Sequence, residues 1–165
     1  MHIAYLGIGT SMGERKRNLL FASQLLAAHP QIDIEAHSSI WTSTPIGSAK
    51  CLFANAVLRI RTSLTPEQLL DACKDFEFRM GRRAAQRWAD RLIDIDILTY
   101  DQICISTSTL QVPHPEILMR DFVLLPLLEL EPNFSLIVSG KACLLRDIKR
   151  HGGSWRSGVF PISFP

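Results

Sequence analysis

Arg91-Leu92-Ile93-Asp94-Ile95-Asp96-Ile97-Leu98 alternates isoleucine with aspartate at the two-residue period of an extended strand. Successive side chains of a strand point to opposite faces, so Ile93, Ile95 and Ile97 predict a buried side while Asp94 and Asp96 stand together on the other. Two neighbouring carboxylates repel and raise each other's pKa, and both stay ionised only with cations beside them. Mg2+ suits such a pair, since it takes hard oxygen ligands and is commonly held by one or two carboxylates plus substrate phosphates. The bland alternative is an exposed polar strand face that does no more than keep the chain in solution.

The preceding stretch has the opposite sign. Arg79, Arg82, Arg83, Arg87 and Arg91 face a single acid, Asp90, for a local net charge of +4. Gly81 and the lapse of apolar period predict that residues 81 to 91 form a loop able to close over a phosphate chain. An arginine run is usually just solvated. Its place directly before an acidic pair gives the layout phosphoryl transfer requires, with metal and guanidinium both neutralising the moving charge.

Outward from this strand, β and α periods alternate. Met1 to Gly9 reads as a strand, with Gly7, Gly9 and Gly13 marking a turn after it; Leu19, Ala22, Leu26 and His29 trace an amphipathic helix that Pro30 ends. Ile32, Ile34, Ala36, Ser38 and Ile40 predict one strand, and Leu52, Ala54, Ala56, Leu58 and Ile60 the next. Thr65-Pro66-Glu67-Gln68 has the form of a capping box with proline at the first helical position, followed by the stripe Leu69, Cys73, Phe76 and Met80. After the Asp strand come a short strand near Ile103 to Ile105, the Val112-Pro113-His114-Pro115 turn and an apolar helix within Phe122 to Leu130. The order βαββαβ predicts an α+β, ferredoxin-like sandwich: a mainly antiparallel sheet, helices on one face, mobile site loops on the other. From Ser139 onward, glycine, serine and proline predict an irregular, partly mobile segment.

A chain of 165 residues with 47% apolar and 21% charged residues fits one soluble domain. Its net charge of +2 gives no ground for nucleic-acid or membrane binding through bulk electrostatics. No cationic, apolar leader opens it, and Phe122 to Leu130 is too short to span a bilayer. Cys51, Cys73, Cys104 and Cys143 have no metal or redox spacing, which predicts reduced thiols and a cytoplasmic protein.

The strand from Leu52 to Ile60 carries Phe53, Asn55, Val57, Arg59 and Arg61 on its second face, and if the aliphatic faces of both strands pack on the helices, Phe53, Asn55, Asp94 and Asp96 share the remaining side of the sheet. A strand Phe is usually core, but Asn55 two residues on calls for hydrogen-bond partners that a planar heterocycle with alternating donors and acceptors could supply. Glu77 lies about 40° around an ideal helix from Cys73 and so flanks the apolar stripe near the arginine loop. It could equally pair with a neighbouring arginine. His114, between two prolines, has a fixed backbone, although a lone turn histidine is more often a surface residue.

Over about residues 3 to 134 the chain resembles 6-hydroxymethyl-7,8-dihydropterin pyrophosphokinase (HPPK). The resemblance is carried by Gly81-Arg82, Arg87-Trp88-Ala89-Asp90-Arg91-Leu92-Ile93-Asp94-Ile95-Asp96, Val112-Pro113-His114-Pro115 and Arg120-Asp121-Phe122. Tyr5-Leu6-Gly7-Ile8-Gly9-Thr10, Thr44-Pro45-Ile46-Gly47 and Phe53-Ala54-Asn55-Ala56-Val57 add to it. It implies transfer of the β,γ-diphosphate of ATP to the pterin hydroxymethyl oxygen with release of AMP, using two Mg2+ ions. It also implies that Asp94 and Asp96 bind metal, that Arg82 and Arg91 stabilise the diphosphate, and that Phe53 and Phe122 sandwich the ring while Asn55 reads its edge. The backbone around Ser43, Thr44 and Ile46 would complete the pterin pocket, and Glu77, Arg83, Trp88, His114 and Arg120 would contact ATP. Ser11 stands where the family's opening turn carries asparagine, and Asp90 replaces a small residue or proline. A monomer is expected, with a dimer left open. Two rivals remain: a metal-dependent phosphohydrolase, for which further acidic or histidine ligands are few, and a non-catalytic ring-binding module.

Overall fold

A computed structural model describes residues 1–45, 49–81, 90–138, 141–158 and 160. Strand β1 (His2–Thr10) leads into helix α1 (Arg15–Ala27), followed by β2 (Ile32–His37), β3 (Ile40–Ser43) and β4 (Phe53–Thr62). Helix α2 (Pro66–Arg79), β5 (Asp94–Tyr100), the small strands β6 (Ile105–Ser106) and β7 (Gln111–Val112), and helix α3 (Asp121–Leu130) come next. The chain closes with β8 (Ser135–Val138), β9 (Lys141–Leu144), a 3-10 turn at Leu145–Asp147 and β10 (Ser154–Gly158). The main sheet runs β10-β3-β4-β1-β5, with β2 also paired to β4, and its pairings are antiparallel.

Alternation puts Ala4, Leu6 and Ile8 of β1, Ala56, Leu58 and Ile60 of β4, and Ile95 and Ile97 of β5 into one buried cluster with Leu19 and Leu26 of α1 and Leu69, Cys73 and Phe76 of α2. Each fully buried leucine or isoleucine there contributes about 1.5–3 kcal/mol. The capping box forms as expected: Gln68 N donates to Thr65 Oγ1 at 3.3 Å, and Thr65 N donates to Gln68 Oε1 at 2.9 Å. Gly81, at φ +94°, ends the helical path after α2.

The α+β class and the mainly antiparallel sheet agree with the sequence, but α3 does not join the other helices. It packs on the opposite face, where Val123, Leu124 and Leu127 meet Tyr5, Val57 and Leu98. Three further expectations are corrected. Gly7 and Gly9 lie inside β1 and mark no turn; the strand runs on to Thr10. The single strand expected from Ile32 to Ile40 breaks at Ser38–Ser39, because Val57 N donates to the Ser38 hydroxyl while Ser39 N and its hydroxyl donate to Glu129 at 3.0 and 2.6 Å. The tail is not irregular where it is described, since β10 adds a strand beside β3, pairing Ser154 with Ser43 and Trp155 with Thr42. Cys51 and Cys104 are exposed, and all four thiols are free. Among the described residues no helix is long and apolar enough to cross a membrane.

Candidate active site

The site is laid out in rows across three strands. In one row Asn55 of β4 faces Gly9 of β1, which faces Asp94 of β5; in the next, Val57 faces Gly7, which faces Asp96. Two strand spacings separate Asn55 from Asp94, about 10 Å. The glycines leave the sheet between them bare. A Cβ on Gly9 would lie 3.0 Å from Asn55 Oδ1, and one on Gly7 would lie 3.3 Å from Leu98 Cδ2.

A cavity of about 290 Å³ opens over this floor. Its lining includes Ser43, Thr44, Phe53 and Asn55 on one side, and Arg91, Asp94, Asp96 and His114 on the other. Arg120 and Phe122, at the start of α3, complete it. Thus α3 walls the very face on which the acidic pair stands, which a sandwich with all helices on one side would leave open.

Each polar group has a local cause. Asn55 is 5% exposed; its Nδ2 donates to Ser43 Oγ at 3.0 Å and to the Trp41 carbonyl at 3.3 Å. Its donors are spent on the protein, and Oδ1 is the atom it offers to a ligand. Arg91 Nη1 bonds Asp94 Oδ1 at 2.7 Å. The backbone of Arg91 is fixed in turn by Ser11, whose N donates to the Arg91 carbonyl and whose hydroxyl accepts from Arg91 N, both at 2.9 Å. Ser11 therefore serves as a clamp on the backbone of Arg91. Asp90 accepts from Cys51 N at 3.1 Å and from Lys50 N at 3.3 Å, and these backbone donors, Cys51 foremost, hold its carboxyl below the usual carboxylate range.

Glu77 is buried on α2, and its Oε1 accepts from Ile95 N at 2.7 Å. Because β5 is the edge strand, that N–H has no strand partner on its outer side, and Glu77 supplies the acceptor directly between the two aspartates. It does not line the cavity. His114 does. Its N donates to the Leu98 carbonyl at 2.8 Å and its Nδ1 accepts from Glu116 N at 3.2 Å. Burial pushes His114 below the usual histidine range and the Arg120 guanidinium adds to this, against the opposite pull of Asp96, so the ring is neutral near pH 7. Arg120 pairs with Glu116 and lies with Cζ 5.5 Å from the Phe122 ring centre.

Of the residues expected from sequence, Ser43, Thr44, Phe53, Asn55, Arg91, Asp94, Asp96, His114, Arg120 and Phe122 share the cavity, and Glu77 stands behind its edge strand. Ile46, Arg82, Arg83 and Trp88 lie outside the described residues. Sequence reasoning missed Gly7 and Gly9, although their parity opposite Leu6 and Ile8 already places them on the aspartate side. It also missed the bulge at Leu98: Leu6 pairs with Ile97 but Tyr5 with Thr99, and this extra residue returns Tyr100 to the helix-covered core.

The donor set fits Mg2+. Among the described residues no three His, Cys, Asp or Glu side chains form a closed cage, while two adjacent carboxylates open onto a cavity large enough for phosphate ligands.

Residues 5–132 match the family model described as 7,8-dihydro-6-hydroxymethylpterin-pyrophosphokinase (HPPK). The chain is 39% identical over 139 residues to the 2-amino-4-hydroxy-6-hydroxymethyldihydropteridine pyrophosphokinase of Methylorubrum extorquens, covering 84% of this chain and 87% of that one. It is 41% identical over 134 residues to the enzyme of the same name from Aquifex aeolicus, covering 81% and 82%. Among solved structures, an HPPK-DHPS in complex with substrates aligns over 89% of this chain with a TM-score of 0.70 at 16% identity, and this chain spans 42% of its length. A Plasmodium falciparum HPPK-DHPS gives a TM-score of 0.69 at 14% identity over 89% of this chain and 44% of that one. These two likenesses bear on the fold alone. Neither the phosphohydrolase nor the ring-binding module gains support from the matched family. That match runs from β1 through α3, the elements carrying Asn55, Asp94, Asp96 and Phe122, and the chain belongs to the 6-hydroxymethyl-7,8-dihydropterin pyrophosphokinase family.

Proposed function

We propose that this chain transfers the diphosphate of ATP to the hydroxymethyl oxygen of 6-hydroxymethyl-7,8-dihydropterin, releasing AMP, in folate biosynthesis. The observation that carries this reading is that the acidic pair and the ring-binding residues line one cavity on one face of the sheet. Asp94 and Asp96 would hold two Mg2+ ions, whose chemistry is to neutralise phosphate oxygens and orient the transferred group.

The remaining work falls to the chain itself. Phe53 and Phe122 would stack on the pterin faces, while Asn55 Oδ1 accepts a ring N–H that distinguishes a pterin from a plain aromatic. Ser43, Thr44 and Ile46 would close the ring's edge. Arg82 and Arg91 would balance charge as the diphosphate leaves AMP; Arg91 is already aimed by its bond to Asp94. Arg83, Trp88, His114 and Arg120 would engage ATP, and Glu77 would act on the nucleotide site through Ile95.

Four free thiols support a cytoplasmic setting, and a net charge of +2 supports small-molecule partners over nucleic acid. The test is ATP labelled separately in its β- and γ-phosphates, incubated with Mg2+ and the pterin. Both labels should move to the pterin together, leaving AMP. ADP or free phosphate as the product would overturn the assignment.

A further inference from the structure

The tail beyond residue 132 lies outside the matched family region, yet it reaches both walls of the ring pocket. Asp121 is 4% exposed, and its Oδ2 accepts from His151 N at 2.8 Å and Gly152 N at 2.5 Å. The next residue, Gly153, turns its carbonyl to Thr44, accepting from Thr44 N at 2.9 Å and from the Thr44 hydroxyl at 3.4 Å. Asp121 immediately precedes Phe122, so one short turn joins the base of Phe122 to Thr44 across the cavity.

The two glycines are needed for different reasons. Both sit in the left-handed region, Gly152 at φ +82° and Gly153 at φ +74°, where any side chain is strained. A Cβ on Gly152 would meet nothing within 4 Å, whereas one on Gly153 would fall 2.8 Å from Thr44 Oγ1. Glycine at 153 is therefore demanded by the approach to the pocket wall as well as by the backbone. Beyond it, β10 pairs with β3, and Arg156 Nε donates to Ser39 Oγ at 2.8 Å, which anchors the turn to the sheet.

We propose that Asp121 and the Gly152–Gly153 turn form a clasp that sets the spacing between Thr44 and Phe122 and so tunes the protein for its planar ring substrate. Asp121 and Gly153 are positioning residues. The inference rests on the pterin reading of the cavity, and it predicts an effect on the pterin side of the reaction without one on the ATP side.

The experiment compares Gly153→Ala, Gly152→Ala, Asp121→Ala and Asp121→Asn in the full chain. It measures KM for pterin and for ATP, the thermal midpoint, and hydrogen exchange at the Thr44 amide. Gly153→Ala and Asp121→Ala should raise the pterin KM about tenfold with the ATP KM within about twofold of the parent. Gly152→Ala, strained at φ +82° but clear of Thr44, should raise the pterin KM by less than Gly153→Ala does, and Asp121→Asn, which keeps an acceptor oxygen, should recover most of the loss. Thr44 exchange should rise with the pterin KM. Equal KM changes for both glycine variants, or a matching rise for ATP, would overturn the clasp. A parent that makes no AMP would sink the pterin reading instead, and Thr44 exchange in Gly153→Ala would still show whether the turn holds the wall.

Discussion

Gly9 stands directly across the β1–β4 ladder from Asn55, and a Cβ at this position would come to 3.0 Å from Asn55 Oδ1. The oxygen that would read the pterin edge thus depends on an absent side chain. Gly9→Ala should displace the amide and raise the pterin KM about tenfold, equivalent to about 1.4 kcal/mol of binding. Gly7→Ala meets the tip of a leucine side chain at 3.3 Å and should cost less. Steady-state kinetics with saturating ATP decides it; identical KM values for Gly9→Ala and the parent would remove Asn55 from the pocket.

Glu77 gives a second prediction, in which stability and catalysis fall together. Removing its carboxylate leaves the buried Ile95 N–H without an acceptor between the two aspartates, a loss of about 1–3 kcal/mol. Glu77→Ala should therefore lower the urea midpoint and reduce kcat, because the metal-facing strand loosens. A raised ATP KM with an unchanged urea midpoint would mean that Glu77 touches the nucleotide directly, as the family resemblance alone implies.

The pH dependence of stability should carry the mark of Glu129. Partial burial raises its pKa, but the Ser39 hydroxyl, the Trp41 indole, the Ser39 N–H and the Arg156 guanidinium outweigh this and hold it below the usual carboxylate range. A folded-state pKa below the unfolded one stabilises the protein above the unfolded value of about 4.3, and that gain is lost as pH falls through the folded value. Thermal melts of parent and Glu129→Gln should differ at pH 7 and draw together as the pH falls below about 4.3. A constant gap across that range would place the effect in packing instead of charge.

What the sequence disclosed, and what it hid, divides by range. The aspartates' shared face, the Thr65 capping box and the Leu69 stripe were legible because each is set by spacing within a few residues. The break at Ser38–Ser39 was not, since it is made by Glu129, 90 residues away along the chain. Glycine's local preference points to a turn at Gly7 and Gly9, whereas their use is to leave room beside Asn55 and Leu98. The tail misled for a similar reason: Gly152 and Gly153 weaken any local period, and their order depends on Asp121 and Thr44. In the site, Phe53, Asn55, Asp94 and Phe122 were brought together in sequence by face parity and family resemblance, but the placement of α3 over that face required tertiary packing on Tyr5, Val57 and Leu98.

The most direct test of the account is turnover against Mg2+ concentration in the parent and in Asp96→Ala. Asp96 is exposed at the cavity and belongs to neither core cluster, so the variant should fold and melt as the parent does. Its AMP production should fall by at least about a hundredfold and recover only in part at high Mg2+. Unchanged AMP production at limiting Mg2+ would contradict the claim that this strand holds the metal.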